Sequence, residues 1–107
     1  MIADAINAFL DGVSLARSAN THRTYKNGLE QFQAVLLEHK QDPQKTPVSA
    51  LKEDAIGWLA AALKRHAPTT ERLYLTAATG FYEYLAGENL ANINLPRVRL
   101  LIRQRAR

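Results

Sequence analysis

The sequence predicts an all-α domain in which four principal helices form a bundle, with a short fifth helix allowed at the C-terminus. Nearly half of the 107 residues are hydrophobic (47%), which is enough for one core in a chain of this length. In four stretches these apolar residues recur every three or four positions, the period of an amphipathic helix. Prolines and polar residues separate the stretches, and none has the strict alternation of a strand.

The first predicted helix is short and packs through a single stripe. That stripe consists of Ile2, Ile6, Phe9, Leu10 and Val13. The Asp11-Gly12 pair is expected to end the helix, with Gly12 taking the positive φ that follows a last turn. Residues 14–20 are then expected to form a polar connector.

The second predicted helix begins at Thr21, whose hydroxyl offers an N-terminal cap, and runs to about His39. Its apolar residues, Tyr25, Leu29, Phe32 and Leu36, lie within an arc of roughly 60°. Arg23, Lys26 and Asn27 point away from that arc. The exposed N–H groups of such a polar, basic first turn can bind a phosphate. The alternative is that Arg23 and Lys26 are ordinary solvated charges.

A long gap over residues 40–51, broken by two prolines, separates the second helix from the third, which is expected from about Lys52. Its buried stripe is predicted to be Ile56, Leu59, Ala60 and Leu63. Trp58 lies off this stripe, so it either meets a second neighbour or lies partly exposed, and filling the core is the expected role. Basic residues 64–66 end the helix, where the helix dipole favours cations.

The fourth predicted helix, residues 69–85, organises the rest of the chain and is expected to be capped by Thr69 or Thr70 and ended by Gly87. Its apolar side contains Tyr74, Leu75, Ala78, Phe81, Tyr82 and Leu85. The opposite side carries Arg72, Thr76, Thr79 and Gly80. Solvated helix faces usually carry Glu, Lys and Gln instead. Short polar groups with one arginine favour close approach of a large partner; packing on another helix is the alternative.

Charge and composition exclude several classes of function for this chain. Five of the arginines fall in residues 97–107, and the remaining 9 basic and 10 acidic residues leave the globule close to neutral although the whole chain has a net charge of +4. With no cysteine, thiolate chemistry is excluded. The three histidines are scattered, so neither a metal site nor another cofactor is expected. No apolar run approaches the ~20 residues of a membrane span, and the residues that open the sequence do not predict a secretory signal.

The spacing of two sets of residues is more specific than that of a generic bundle. The first set is Ser18, Thr21, Tyr25, Leu29 and Phe32, followed by a proline-containing gap and then Leu51, Ile56 and Leu59. The second is Thr70, Leu75, Ala78, Phe81, Tyr82, Tyr84 and Leu85, followed by Gly87 and an Asn/Pro turn. In this order they resemble the N-terminal core-binding domain of the tyrosine recombinases, or phage integrases.

The resemblance covers residues 2–96 and implies a four-helix SAM-like orthogonal bundle. Residues 1–96 would be the core-binding domain, and residues 97–107 a basic tail or the start of a linker to a catalytic domain absent from this chain. The domain would be non-catalytic and would form half of a clamp around recombination-site DNA during DNA integration and recombination. Its partners would be double-stranded DNA, the catalytic domain of the same parent chain and other recombinase protomers. A cytoplasmic, bacterial or phage-encoded, nucleoid-associated protein is implied.

The family pattern places DNA contacts at the start of the second helix and on the polar side of the fourth. Those positions are Thr21, Arg23, Lys26, Asn27, Thr69, Thr70, Arg72, Thr76 and Thr79. The basic tail adds Arg97 and Arg99 as candidate phosphate contacts. Thr79 departs from the pattern because the family often has a basic residue there. Leu95, between Asn94 and Pro96, interrupts the usual Asn-Pro pair.

Three other classes of function can be compared with DNA binding. Catalysis is not expected, because Tyr25, Tyr82 and Tyr84 are predicted in or beside the core and no catalytic motif follows them. A helical protein–protein interaction module is the alternative function, with Trp58 and Leu73 as its exposed apolar candidates. A basic amphipathic segment at residues 97–107 on a membrane or an acidic partner is a third, but it lacks aromatic residues.

Overall fold

The computed structural model describes residues 1–106, which form five α-helices. These are α1 (Ile2–Ala16), α2 (Ala19–Glu38), α3 (Asp54–Ala62), α4 (Pro68–Gly87) and α5 (Leu95–Arg105). Short 3-10 turns at Val48–Ala50 and Leu63–Arg65 precede and follow α3. No strand occurs within residues 1–106. The all-α prediction, including a fifth helix, is confirmed.

Helices α2 and α4 form the centre of the bundle. They pack against each other, α1 lies against both, and α3 and α5 pack together on the remaining side. Gly28 makes the α2–α4 contact possible: a Cβ added there would lie 3.2 Å from Cα of Tyr74 and 3.3 Å from Cβ of Ala77. A larger residue would push the two helix backbones apart.

The predicted apolar stripes all face one core. Its largest fully buried side chains include Ile2, Ile6, Leu29, Phe32, Leu36, Ile56, Leu59, Leu63, Phe81, Tyr82 and Leu85. The ring of Phe32 meets those of Phe81 and Tyr82 edge-on, with centroids 6.3 and 6.0 Å apart. Trp58 is half-buried at the edge of this core, where its ring stacks on His39 at 4.0 Å.

The junction between α1 and α2 differs from the prediction. Helix α1 does not end at Gly12 but continues to Ala16, no glycine has positive φ among the residues described, and the connector is reduced to Arg17 and Ser18. The last turn is kept by a hydrogen bond from Arg17 N–H to the carbonyl of Val13 (2.9 Å), whose side chain is buried. Ser18, not Thr21, caps α2.

The start of α4 also differs. Neither Thr69 nor Thr70 caps it: the N-cap is Ala67, and both threonines lie within the first turn after Pro68. Proline suits the first helical position because its φ is already helical and it has no N–H to satisfy. The C-terminal end is close to the prediction. Gly87 is the last helical residue, but the left-handed position is taken by Asn89 (φ 55°).

The basic C-terminal stretch forms a docked helix as far as Arg105. The side-chain oxygen of Asn94 accepts a hydrogen bond from Arg97 N–H (3.1 Å) and caps α5. Val98 and Leu101 are buried against the core. The domain boundary predicted at residue 96 therefore falls in the first turn of α5. Arg107, the last residue of the predicted tail, lies outside the described residues.

Candidate nucleic-acid interface

The first turns of α2 present the basic surface that the sequence predicted. Arg23, Lys26 and Asn27 are all exposed, and one Arg23 nitrogen donates to the side-chain oxygen of Asn20 at 2.9 Å. No acidic residue occurs between Asp11 and Glu30 in the sequence. The side chains at this end of the helix therefore bring positive charge without an acid nearby in the sequence.

Thr21 does not cap α2 but takes part in the cap that Ser18 forms. Its backbone N–H donates to Ser18 Oγ (3.2 Å), and its own hydroxyl oxygen accepts from Ser18 Oγ (3.0 Å). The Ser18 cap thus uses one of the N–H groups that were expected to be available for a phosphate. The hydroxyl of Thr21 can still donate, and the side chain is half-buried rather than fully exposed.

On α4, Arg72 and Thr76 are exposed and Thr79 is half-buried. Both threonine hydroxyls donate to carbonyls four residues earlier, that of Arg72 at 2.9 Å and that of Leu75 at 2.8 Å. In this arrangement the hydroxyls can only accept further hydrogen bonds, so they do not donate to phosphate oxygens. The guanidinium of Arg72 is consequently the charge-bearing donor of this face.

Gly80 packs against another helix, unlike Arg72 and Thr76 on the same predicted side of α4. A Cβ at Gly80 would lie 3.3 Å from the ring of Phe9 and 3.8 Å from that of Tyr25. Gly80 therefore packs against α1, as the alternative interpretation of small residues required, whereas Arg72 and Thr76 remain exposed. Because Tyr25 belongs to the second turn of α2, the same contact places the start of α2 beside α4, while Arg23 and Asn27 lie on the other side of α2.

The polar side of α4 forms one wall of a groove rather than an open helix face. A cavity of about 690 Å³ lies between α1, α4 and α5. Its lining includes Arg72, Thr76 and Thr79 from α4, with Tyr25 from α2 and Arg17 from the α1–α2 junction. Arg17 was not among the predicted site residues. Its place in the acid-free stretch between Asp11 and Glu30 is the sequence signal that could have identified it.

The first turn of α4 is less suited to an anion than predicted. Thr69 is exposed and Thr70 half-buried, but Glu71 in the same turn is only 3% exposed and lines the groove. A carboxylate here is favoured by the positive end of the helix dipole. The same negative charge opposes a phosphate at Thr69 and Thr70.

The two arginines predicted at the C-terminal end have different environments. The guanidinium of Arg97 donates to Asp54 Oδ1 at 2.6 Å and to Glu53 Oε1 at 3.4 Å. These two carboxylates raise the pKa of Arg97. To reach a phosphate, Arg97 would have to leave both of them. Arg99, by contrast, is exposed on α5.

Residues 1–106 contain neither a metal-ligand cluster nor a membrane-spanning helix. No group of His, Asp and Glu in this part of the chain could hold a metal ion. No helix there is long and apolar enough to cross a membrane.

The comparisons with known proteins give one match. The family model for the phage integrase N-terminal SAM-like domain matches residues 6–89, which is more than half of the chain. Comparisons with curated proteins and with solved structures gave no significant match. The matched span begins within α1 and ends just after α4, so it covers both candidate surfaces. The chain therefore belongs to the phage integrase N-terminal SAM-like domain family.

Proposed function

We propose that this domain binds recombination-site DNA and forms one half of a clamp around it. The observation that carries the proposal is that two candidate surfaces, the start of α2 and the Arg72 wall of the groove, belong to neighbouring helices that are in contact at Tyr25 and Gly80. Membership of an integrase domain family supports DNA as the partner. Strand cleavage and rejoining would then belong to a catalytic domain of the parent protein, with other recombinase protomers bound to the same DNA.

The charges suggest how binding energy is divided. Arg23 and Lys26 can each replace a condensed counterion on a phosphate, which makes affinity fall as salt rises. Arg72 can reach either a phosphate or a base edge with charge-assisted hydrogen bonds. Thr76 and Thr79 are short, so they allow the α4 backbone to come close to the duplex. We include Arg99 as a further phosphate contact and give Arg97 a lesser part because of its ion pairs.

The decisive experiment places a carboxylate on the α4 wall. Thr76→Glu is expected to abolish binding to duplex DNA in a salt-controlled titration, because the new charge faces the phosphates. Thr76→Gln, which has the same shape without the charge, is expected to retain most of the affinity. Gln44→Glu is the control, because it adds the same charge outside the groove. Gln44 is exposed in the loop whose Pro43 and Thr46 carbonyls accept hydrogen bonds from the first N–H groups of α1.

A folded Thr76→Glu domain that bound DNA as tightly as the parent would contradict the proposal. Thermal melts establish that each variant is folded. In that outcome the interaction-module alternative would move ahead, since the groove is largely apolar and Leu73 is 44% exposed. An equal loss of affinity in Gln44→Glu would mean that net charge, and not this surface, governs binding.

A further inference from the structure

A shallow pocket of about 450 Å³ lies between the end of α1 and the first two turns of α2. It is lined by Ser14, Ala19, His22, Arg23 and Lys26. The family pattern pointed to Arg23 and Lys26 but not to Ser14 or His22. The pocket brings an imidazole and two cations of α2 together with a hydroxyl of α1.

The charged side chains that line the pocket beside His22 are cationic. Arg23 and Lys26 come from its own helix, and α1 contributes Ser14, which is uncharged. None of the residues described as lining the pocket is acidic. The nearest acids in sequence are Asp11, nearly one turn before Ser14 on α1, and Glu30, one turn after Lys26 on α2.

We propose that this pocket seats one phosphate of the DNA backbone and that His22 takes up a proton when the phosphate binds. The proposal rests on DNA binding as the proposed function and assigns it a pH dependence. A free imidazole titrates near pH 6.5. A phosphate held beside an imidazole favours its charged form. Protonation and phosphate binding are therefore coupled.

Two measurable consequences follow from that coupling. Affinity for duplex DNA should decrease as pH rises from about 5.5 to 8.5, by about tenfold for each unit by which binding raises the imidazole pKa. Because charged His22 is one additional phosphate contact, the slope of log K against log salt should be steeper at pH 5.5 than at pH 8.5 by about 0.9.

The experiment measures DNA binding over this pH range at several salt concentrations for the wild type and three variants. His22→Gln should remove the pH dependence and the change in slope. His22→Arg, a permanent cation, should bind at pH 8.5 about as tightly as the wild type binds at pH 5.5. His39→Gln is the matched control: it lies just past the far end of the same helix, stacked on Trp58, and should keep the wild-type profile.

The outcomes separate this proposal from the function on which it rests. If the wild type and His22→Gln have the same pH profile, the His22 site is wrong, while DNA binding that is still sensitive to Thr76→Glu would leave the proposed function standing. If neither the wild type nor any variant binds DNA at any pH, the proposed function fails as well. A loss of sequence preference in His22→Gln would overturn the phosphate assignment, because a phosphate contact weakens binding equally on all sequences. Circular dichroism melts of all variants establish that they are folded.

Discussion

The phenol of Tyr82, in α4, donates a 2.6 Å hydrogen bond to the backbone carbonyl of Lys52, just before α3. Tyr82 is completely buried. The bond therefore satisfies both the hydroxyl and a carbonyl of the segment that leads into α3. It ties the end of the long 40–51 gap to the central helix and helps to set where α3 begins. Burial raises the pKa of Tyr82 far above that of a free phenol, and Glu53 and Asp54 raise it further.

Replacing Tyr82 by Phe should lower the free energy of unfolding by about 1–3 kcal/mol, because the carbonyl of Lys52 is left without its partner in a part-buried position. Urea denaturation measures the loss. Tyr84→Phe is the matched control. It removes the same hydroxyl group from the same helix, but at a position that is only half-buried. Equal effects of the two changes would mean that the Tyr82 bond contributes nothing specific.

The same tyrosine should make the domain sensitive to alkali. The unfolded chain releases the Tyr82 proton near pH 10, whereas the folded domain retains it to higher pH because its pKa is raised. This contribution to stability is complete below about pH 10 and decreases as pH rises above it. The difference in unfolding free energy between wild type and Tyr82→Phe should therefore shrink between pH 9 and pH 11 in urea titrations. A constant difference would contradict the raised pKa.

Two glycines in helix interiors should respond to alanine in opposite directions. Nothing lies within 4 Å of a Cβ at Gly12, so Gly12→Ala should stabilise the domain by about 0.5–1 kcal/mol through lower chain entropy and better helix propensity. At Gly28 the Cβ would meet the Tyr74 backbone at 3.2 Å. Gly28→Ala should destabilise by about 1–3 kcal/mol because α2 and α4 must separate. Urea melts that gave both changes the same sign would contradict the close α2–α4 contact.

Glu53 should control whether α5 stays docked. This residue is 9% exposed, and its carboxylate accepts from Asn94 N–H at 2.8 Å and pairs with Arg97. Glu53→Ala should accelerate hydrogen exchange of the α5 amides selectively, because the start of that helix loses its link to α3. Asp54→Asn is the milder comparison, since Asp54 is exposed and keeps an acceptor oxygen as Asn. Unchanged exchange in α5 after Glu53→Ala would show that its apolar contacts suffice.

The contrast between core and helix ends explains what was predictable from the sequence. Buried stripes follow from periodicity, so the spacing of Phe32, Phe81 and Tyr82 along their helices is sufficient to assign them to the core. Helix ends depend on small differences in free energy between neighbouring residues that could each act as the cap. The N-cap of α2 is therefore Ser18 and not Thr21, and that of α4 is Ala67, before Pro68, and not Thr69. Ion pairs between distant parts of the chain also leave no pattern in the local sequence. Arg97 pairs with Glu53 and Asp54, which lie more than forty positions earlier in the sequence.

The candidate surface was predictable to the extent that it lies on single helices. The exposed Arg23 and Arg72 follow from the faces of α2 and α4. The groove beside Arg72 does not, because it is created by the position of α1 relative to α4, and that position depends on the contact between Phe9 and Gly80. Arg17 joins the site only through that groove.

Arg72→Ala should weaken binding to duplex DNA, because Arg72 is the charged donor on its wall of the groove while Thr76 and Thr79 bond back to their own helix. If the guanidinium reads a base, affinity for the preferred site should fall by about 1–3 kcal/mol and preference should relax at one position. If it contacts a phosphate, affinity should fall on all sequences and the salt slope should decrease by about one. Binding titrations on two unrelated duplexes at several salt concentrations distinguish these cases.

Lys45→Ala provides the charge-matched control for Arg72→Ala. Lys45 is exposed in the loop beside the N-terminus of α1, and its removal takes away one positive charge without touching the groove. We expect its salt slope to stay close to that of the wild type, because screened charges more than about 10 Å from the duplex contribute little at about 0.1 M salt. If Arg72→Ala and Lys45→Ala had the same small effect on affinity, Arg72 would contact neither a base nor a phosphate. The groove wall would then not be part of the DNA-binding surface, even if α2 still bound DNA.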